Sequence, residues 1–351
     1  MRNRRATRNS HARNSHVRQG RPCIFVAAAL LAMSVLASCG GGGAAGNNNS
    51  TNTVNPNMAP GCDPDPEFHT LAFGGITRSY LLHVPVNFVP GTSALMIGLH
   101  GSQGSGAMFR DNSQLSVKAD QQGFAIAYPY SLVSPGAGFT EWNEFFNNSY
   151  GPNPPDDVGF LRQLIVTLQA SVNPDPKRIY VTGLSNGGFM THRAGVQLSD
   201  LVAAIAVVEG TVVSPGQIQS VPPPLGPVSV LIFHGDQDPT VLYCGGPVVA
   251  SQEETFNYWA GAAADKCAVT DTALPLCDAQ RNITSVVEKD ATSCAGNSEV
   301  KFYRLEGGVH LWYKVPMNVP GQVPFNPDFD ATSGVTTDDI IWNFFQAHPK
   351  P

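Results

Sequence analysis

The chain has 351 residues, enough for one large domain, and its 42% hydrophobic content supports a substantial core while only 14% of its residues are charged. The formal charge of −6 hides a division: seven arginines, at positions 2, 4, 5, 8, 13, 18 and 21, precede Pro22 with no acid among them, and beyond that segment 14 basic residues face 27 acidic ones, a mature charge of −13. No basic patch is left for nucleic acid, which excludes that class of partner, and the carboxylates read as a solvated acidic surface.

In chain order, residues 1–38 read as a signal peptide, with a basic n-region followed by the apolar run IFVAAALLAMSVLAS, too short for a membrane span of about 20 residues. Leu36-Ala37-Ser38-Cys39 matches a bacterial lipobox, in which Cys39 is acylated and becomes the new N-terminus. Gly40 after it is not an inner-membrane retention signal, which points to the outer membrane of a diderm host. Residues 39–67, with Gly40–Gly43 and an Asn/Thr-rich stretch to Asn57, then read as a flexible tether. The membrane is thus a partner only through a lipid anchor. Export permits disulfides. Five cysteines follow the anchor, Cys62, Cys244, Cys267, Cys277 and Cys294. Cys267 and Cys294 flank one Asp/Thr-rich excursion and are expected to pair, with Cys244–Cys277 as a second pair. No Cys or His cluster has zinc spacing, so no metal is expected.

From Phe68 the chain reads as globular. Strands are expected at 77–84, 94–99, 124–128, 178–182, 201–208, 228–233 and 300–305. Most are short apolar runs bounded by Gly or Pro, the signature of buried parallel strands. Helices are expected at 158–170, where Leu161, Leu164, Ile165 and Leu168 share a face after an Asp156-Asp157 cap, and at 186–198, 252–264 and 337–346. This alternation makes residues 68–351 one α/β domain, a mainly parallel central sheet with helices on both faces, and ligands bind at the C-terminal ends of such strands.

Gly183-Leu184-Ser185-Asn186-Gly187 matches G-x-S-x-G between an expected strand and an expected helix, the setting in which a tight turn lifts a nucleophilic Ser above a sheet. A weak alcohol nucleophile needs a base, and the base an orienting acid. Downstream stand His192 (within a helix), His234 (at a strand end), His348 (at the terminus) and His310, in the glycine-rich loop Gly307-Gly308-Val309-His310. His310 is therefore the candidate base. Asp236 and Asp238, after the strand at 228–233, are both candidate acids, one of them expected to cap the turn. Oxyanion donors are expected at the amide of Asn186 and, from the His100-Gly101-Ser102 loop, at that of Ser102, with His100 as a brace. Trp142 and Trp312 are candidate substrate-binding residues. Trp142, with Phe145, Phe146 and Tyr150, lines an acyl or aryl pocket or belongs to the core.

The segments LHGSQGSG, PPDDVGFLRQLI, GLSNGGFM, IFHGDQDPTV and EGGVHLWY occur in that order. Together they resemble the secreted esterases grouped with polyhydroxybutyrate depolymerases and single-domain feruloyl esterases. The resemblance runs from about Arg78 to the C-terminus and implies an α/β-hydrolase fold and a cofactor-free serine hydrolase. It places the nucleophile on Ser185, the base on His310, the acid on Asp238 and the upstream oxyanion donor on Ser102. The implied substrates are 3-hydroxyalkanoate polymer or oligomer esters, or alternatively feruloyl and aryl esters. A departure is Gly307-Gly308-Val309-His310 where similar chains read GGGH-x-W, and no added substrate-binding domain is expected. A non-catalytic surface binding protein on this fold is the alternative of another class.

Overall fold

The computed structural model describes residues 65–145, 149–212, 218–261, 267–269, 276–278, 280–283, 288–313 and 336–351. The expected signal peptide, Cys39, Cys62 and all but the end of the tether lie outside the described residues. Among the described residues twelve strands occur: β1 (Phe68–Phe73), β2 (Ile76–His83), β3 (Leu95–Leu99), β4 (Ala125–Pro129), β5 (Leu132–Val133), β6 (Thr140–Glu141), β7 (Ile179–Leu184), β8 (Ala204–Val208), β9 (Ser229–Gly235), β10 (Ala268–Val269), β11 (Glu288–Thr292) and β12 (Val300–Leu305). Six helices accompany them: α1 (Gly106–Ser113), α2 (Leu115–Gln122), α3 (Asp157–Ser171), α4 (Asn186–Gln197), α5 (Gln252–Ala260) and α6 (Thr337–Ala347).

Ten strands form one sheet in the order β1-β2-β4-β3-β7-β8-β9-β12-β11-β10, and β5 and β6 form a separate ribbon. From β4 to β12 every pairing is parallel, while β1, β2, β10 and β11 add antiparallel edges. The parallel strands are apolar because both faces are covered. In β3, Leu95, Ile97 and Leu99 enter one core and Met96 the other. In β4, Ala125 and Ala127 divide in the same way from Ile126 and Tyr128. Helices α3, α4 and α5 close the first face, and α1, α2 and α6 the second.

Local chemistry sets the helix starts. Asp156, with its carboxylate on the Gly159 amide at 2.8 Å, caps α3, and capping boxes open α5 (Ser251, Glu254) and α6 (Thr336, Asp339). Asp157 has another role than capping. It lies fully buried, 2.8 Å from the Arg78 guanidinium, which also donates to Tyr130 O at 3.1 Å. Both expected disulfides are present, Cys244–Cys277 and Cys267–Cys294. Among the described residues no helix is long and apolar enough to cross a membrane.

The Arg78–Asp157 pair joins β2 to the head of α3 inside the core. Deleting one partner strands a buried charge, so Asp157→Ala is predicted to cost about 3–5 kcal/mol in urea unfolding, and a change under about 1 kcal/mol would show that the pair is dispensable.

Candidate active site

Between Leu184, the last residue of β7, and Asn186, the first of α4, Ser185 alone makes the turn, at φ 58° and ψ −124°. Residues with side chains rarely adopt that conformation. The turn is fastened by the Ser185 amide, which donates to Val208 O at 3.0 Å. Crowding explains the flanking glycines: a Cβ on Gly187 would stand 2.2 Å from Leu99 O, and one on Gly183 would stand 2.4 Å from Gly187 O. Ser185 is half-buried at the N-terminus of α4, where first-turn amides have no acceptor within the helix and the dipole is positive.

The loop leaving β3 packs against this turn. A Cβ on Gly101 would lie 3.2 Å from the Ser185 Cβ and 3.8 Å from its Oγ. His100 braces the loop from below: it is buried, Nδ1–H donates to Gly101 O at 2.7 Å, and Nε2 accepts the Ser131 amide at 3.1 Å. Burial, aided by the Arg78 charge, pushes its pKa down to about 4, so the ring is neutral. Ser102, next in the loop, is exposed, and Gln103 N–H fixes the far side on Thr140 O at 2.7 Å.

Trp142 differs from the expectation of a substrate-binding role. It is fully buried, because its polar groups are committed inward. The indole Nε1–H donates to His100 O at 2.9 Å, and its amide donates to Asn186 Oδ1 at 2.6 Å. Asn186 Nδ2 donates back to Trp142 O at 3.3 Å. Trp142 therefore ties the loop after β3 to the head of α4, and the Asn143 amide donates to Asp157 Oδ2 at 2.8 Å. Phe146 lies outside the described residues. Trp312 likewise faces inward rather than towards a substrate: it is 8% exposed, packs edge-on against Phe109 at 5.1 Å, and donates its Nε1–H to Asp338 Oδ1 at 2.9 Å.

Asp238 follows β9 and His310 follows β12, its parallel neighbour, so both leave the same sheet edge as Ser185. His310 Nδ1 stands 2.7 Å from Asp238 Oδ2, while Asp238 Oδ1 accepts the Thr240 and Val241 amides at 2.7 and 2.9 Å. Burial raises the Asp238 pKa, but the hydrogen bonds from His310 and Glu209 outweigh it and hold it at about 2. Asp236, the other candidate acid, accepts the Gly307 amide at 2.7 Å and fastens the turn instead. The two loops touch through backbone: Gln237 N–H donates to Gly308 O at 2.9 Å, and a Cβ on Gly235 would lie 2.4 Å from that oxygen. His234 is structural. Its Nε2–H donates to Val241 O at 2.6 Å, and Nδ1 accepts Gln252 Nε2–H at 2.8 Å. His192 is buried and accepts the Trp259 indole N–H at 3.0 Å.

Sequence reasoning missed Glu209, which ends the β8 run. It is fully buried, at φ 52°, and the Gly235 amide donates to both its oxygens, at 3.0 and 3.2 Å. Burial, then the hydrogen bond to Asp238 and the charge there, pushes its pKa well above the ordinary Glu value. Glu209, His234 and Asp238 are close enough together to suggest a metal centre. The donor atoms argue otherwise: both His234 nitrogens and both Asp238 oxygens are already engaged by protein groups.

No family model matches the chain. It is 32% identical over 187 residues to the putative esterase NocK of Nocardia uniformis subsp. tsuyamanensis, covering 51% of each protein. It is 30% identical over 247 residues to feruloyl esterase B of Piromyces equi, covering 66% of this chain and 42% of that one. With poly(3-hydroxyalkanoate) depolymerase C of Paucimonas lemoignei it shares 26% identity over 201 residues, 50% of this chain and 46% of the other. The chain thus spans about half, or less, of the length of these curated relatives. The acetyl xylan esterase from Aspergillus awamori superposes with a TM-score of 0.52 at 16% identity, over 80% of this chain and 98% of its own. The chain has the α/β-hydrolase fold, and its relatives belong to the esterase group that its motifs resemble.

The crowding at the elbow carries its own prediction. Gly187→Ala forces a methyl group into Leu99 O and is expected to cost about 3 kcal/mol in denaturant unfolding. An unchanged midpoint would mean that the turn is looser than described.

Proposed function

We propose that this chain is a serine carboxylic-ester hydrolase that works through an acyl-enzyme on Ser185. The observation that carries the reading is the Asp238–His310 contact at 2.7 Å, on the sheet edge from which the Ser185 turn also rises. In this reading Ser185 Oγ attacks the ester carbonyl while His310 Nε2 takes its proton. Collapse of the tetrahedral intermediate breaks the C–O bond of the alcohol, which leaves with that proton. His310 then takes a proton from water, whose oxygen attacks the acyl carbonyl, and returns it to Ser185 as the acid is released. Asp238, ionised far below neutral pH, holds the His310 ring through Nδ1–H and stabilises the imidazolium. The amides of Ser102 and Asn186 receive the oxyanion, and Trp142 fastens both donor segments. The chemistry needs no cofactor.

For substrate, the resemblance to polyhydroxybutyrate depolymerases, with the 26% identity to poly(3-hydroxyalkanoate) depolymerase C, supports 3-hydroxyalkanoate esters, polymer or oligomer. A second reading, feruloyl or other plant-wall esters, is supported by the longer match to feruloyl esterase B. Burial of Trp142 and Tyr150 takes those two rings out of the aromatic-pocket argument for that second reading. We place the protein outside the cytoplasm, with residues 1–38 removed and Cys39 lipid-anchored to the cell envelope through the 39–67 tether.

The test is hydrolysis of p-nitrophenyl butyrate, a 3-hydroxybutyrate trimer and methyl ferulate by the protein and its variants. Ser185→Ala is expected to lower kcat by on the order of 10⁴-fold or more, and Asp238→Asn by about 10⁴-fold, with the fold retained. Preference for the trimer supports the first substrate reading, and preference for ferulate the second. Equal turnover by Ser185→Ala, or no turnover of any ester by the folded wild type, would overturn the assignment and favour a binding protein.

A further inference from the structure

We infer that Glu209 is a positioning residue for Asp238: its carboxyl O–H donates a hydrogen bond to the Asp238 carboxylate and holds it on His310. The inference rests on the roles proposed above for Asp238 and His310.

Glu209 and Asp238 are 0% and 3% exposed, and a carboxylate oxygen of each lies within 4.8 Å of the other. Two ionised carboxylates in dry contact repel, so one proton lies between them. The donors decide which group keeps it. Asp238 receives two amides on Oδ1 and His310 on Oδ2, an environment built for the anion. Glu209 receives one backbone amide, that of Gly235, shared between its two oxygens. Among the described residues, the other titratable groups facing it are His234, on β9, and Tyr313, after β12. His234 spends its Nε2–H on Val241 O at 2.6 Å, and Glu209 Oε2 stands 3.4 Å away. Burial keeps that ring neutral, its pKa lowered to about 4, so no cation pairs with Glu209 from this side. The Tyr313 hydroxyl donates to Val309 O and also reaches Glu209, so Glu209 has one amide and one hydroxyl where Asp238 has two amides and His310.

The backbone places Glu209 for this task. Its amide donates to Phe233 O at 3.0 Å, and φ 52° turns the chain at the end of β8 between the Ser185 turn and the Asp238 loop. A neutral acid in this position orients Asp238 without adding a second negative charge beside the base. An ionised Glu209 would add one.

The experiment compares wild type, Glu209→Ala, Glu209→Gln and Ser185→Ala on p-nitrophenyl butyrate, with pH profiles and melting temperatures at pH 5 and pH 8. Glu209→Ala is expected to lower kcat by about 100-fold through misplacement of the acid, with KM little changed. Glu209→Gln offers an N–H where Glu offers an O–H, so it recovers most of that loss and leaves the acidic limb of kcat/KM in place. The thermal comparison has a defined sign. A carboxyl whose pKa is raised on folding contributes stability below its ordinary value, and that contribution is lost as pH rises towards the folded value. Gln carries no such dependence, so the melting temperature of Glu209→Gln relative to wild type is expected to climb from pH 5 to pH 8.

Wild-type kcat in Glu209→Ala would overturn the inference. So would a Glu209→Gln variant as slow as Ala with its acidic limb displaced to lower pH, the mark of an ionised Glu209. If Glu209→Ala does not fold, the limb and melting behaviour of Glu209→Gln decide. Activity that survives Ser185→Ala would instead sink the proposed function, and this inference with it. Activity lost in Ser185→Ala but untouched in Glu209→Ala sinks the inference alone.

Discussion

The turn at Ser185 is the constraint on which the rest of the site depends. A side-chain-bearing residue at φ 58° and ψ −124° costs on the order of 1–3 kcal/mol and persists only where its surroundings over-determine it. Those surroundings are backbone: Val208 O accepts the Ser185 amide, and Leu99 O leaves room at position 187 for glycine alone. The same closeness brings the loop after β3 against the Ser185 side chain. Trp142 then joins that loop to Asn186 by hydrogen bonds to both sides. The strained turn, the loop after β3 and the first residue of α4 therefore form one mechanical unit.

A second unit lies two strands away, where the loops after β9 and β12 touch at Gly235 and Gly308. Their contact leaves no room for side chains between them and sets Asp238 and His310 face to face. The electrostatics follow from burial. Asp238 remains an anion because amides and His310 surround it. Glu209, in a drier place with fewer donors, is pushed the other way. Groups with opposed environments on one sheet edge are a mark of functional sites rather than of core packing alone.

Much of this was legible in the sequence. Strands β3, β4, β7, β8 and β9 announce themselves as apolar runs because both faces of a parallel strand are buried. Helices α3 and α4 follow from an apolar face and a strand–turn–helix motif. Helices α1 and α2 escape because each has only eight residues and a weak apolar pattern. Strand β11 (EKDAT) escapes because its charged side chains suggest a loop, although it is paired on both sides. In the candidate site, the strand–turn–helix at Ser185 is legible from its motif, and His310 from the glycine-rich loop that brings it to Asp238. Asp236 and Asp238 are indistinguishable locally, since the difference between them lies in the distant Gly307 amide. Trp142 and Trp312 mislead because proximity in sequence to a site does not fix the direction a ring faces. Glu209 had a usable signal: an acid at the C-terminal end of a buried parallel strand stands where α/β proteins bind ligands.

The most direct measurement of the central claim is covalent labelling of the folded protein with a fluorophosphonate, followed by peptide mapping. The account predicts one adduct per chain, on Ser185, formed rapidly at neutral pH and blocked by prior unfolding. An adduct on another residue, or none on the folded protein, would contradict it.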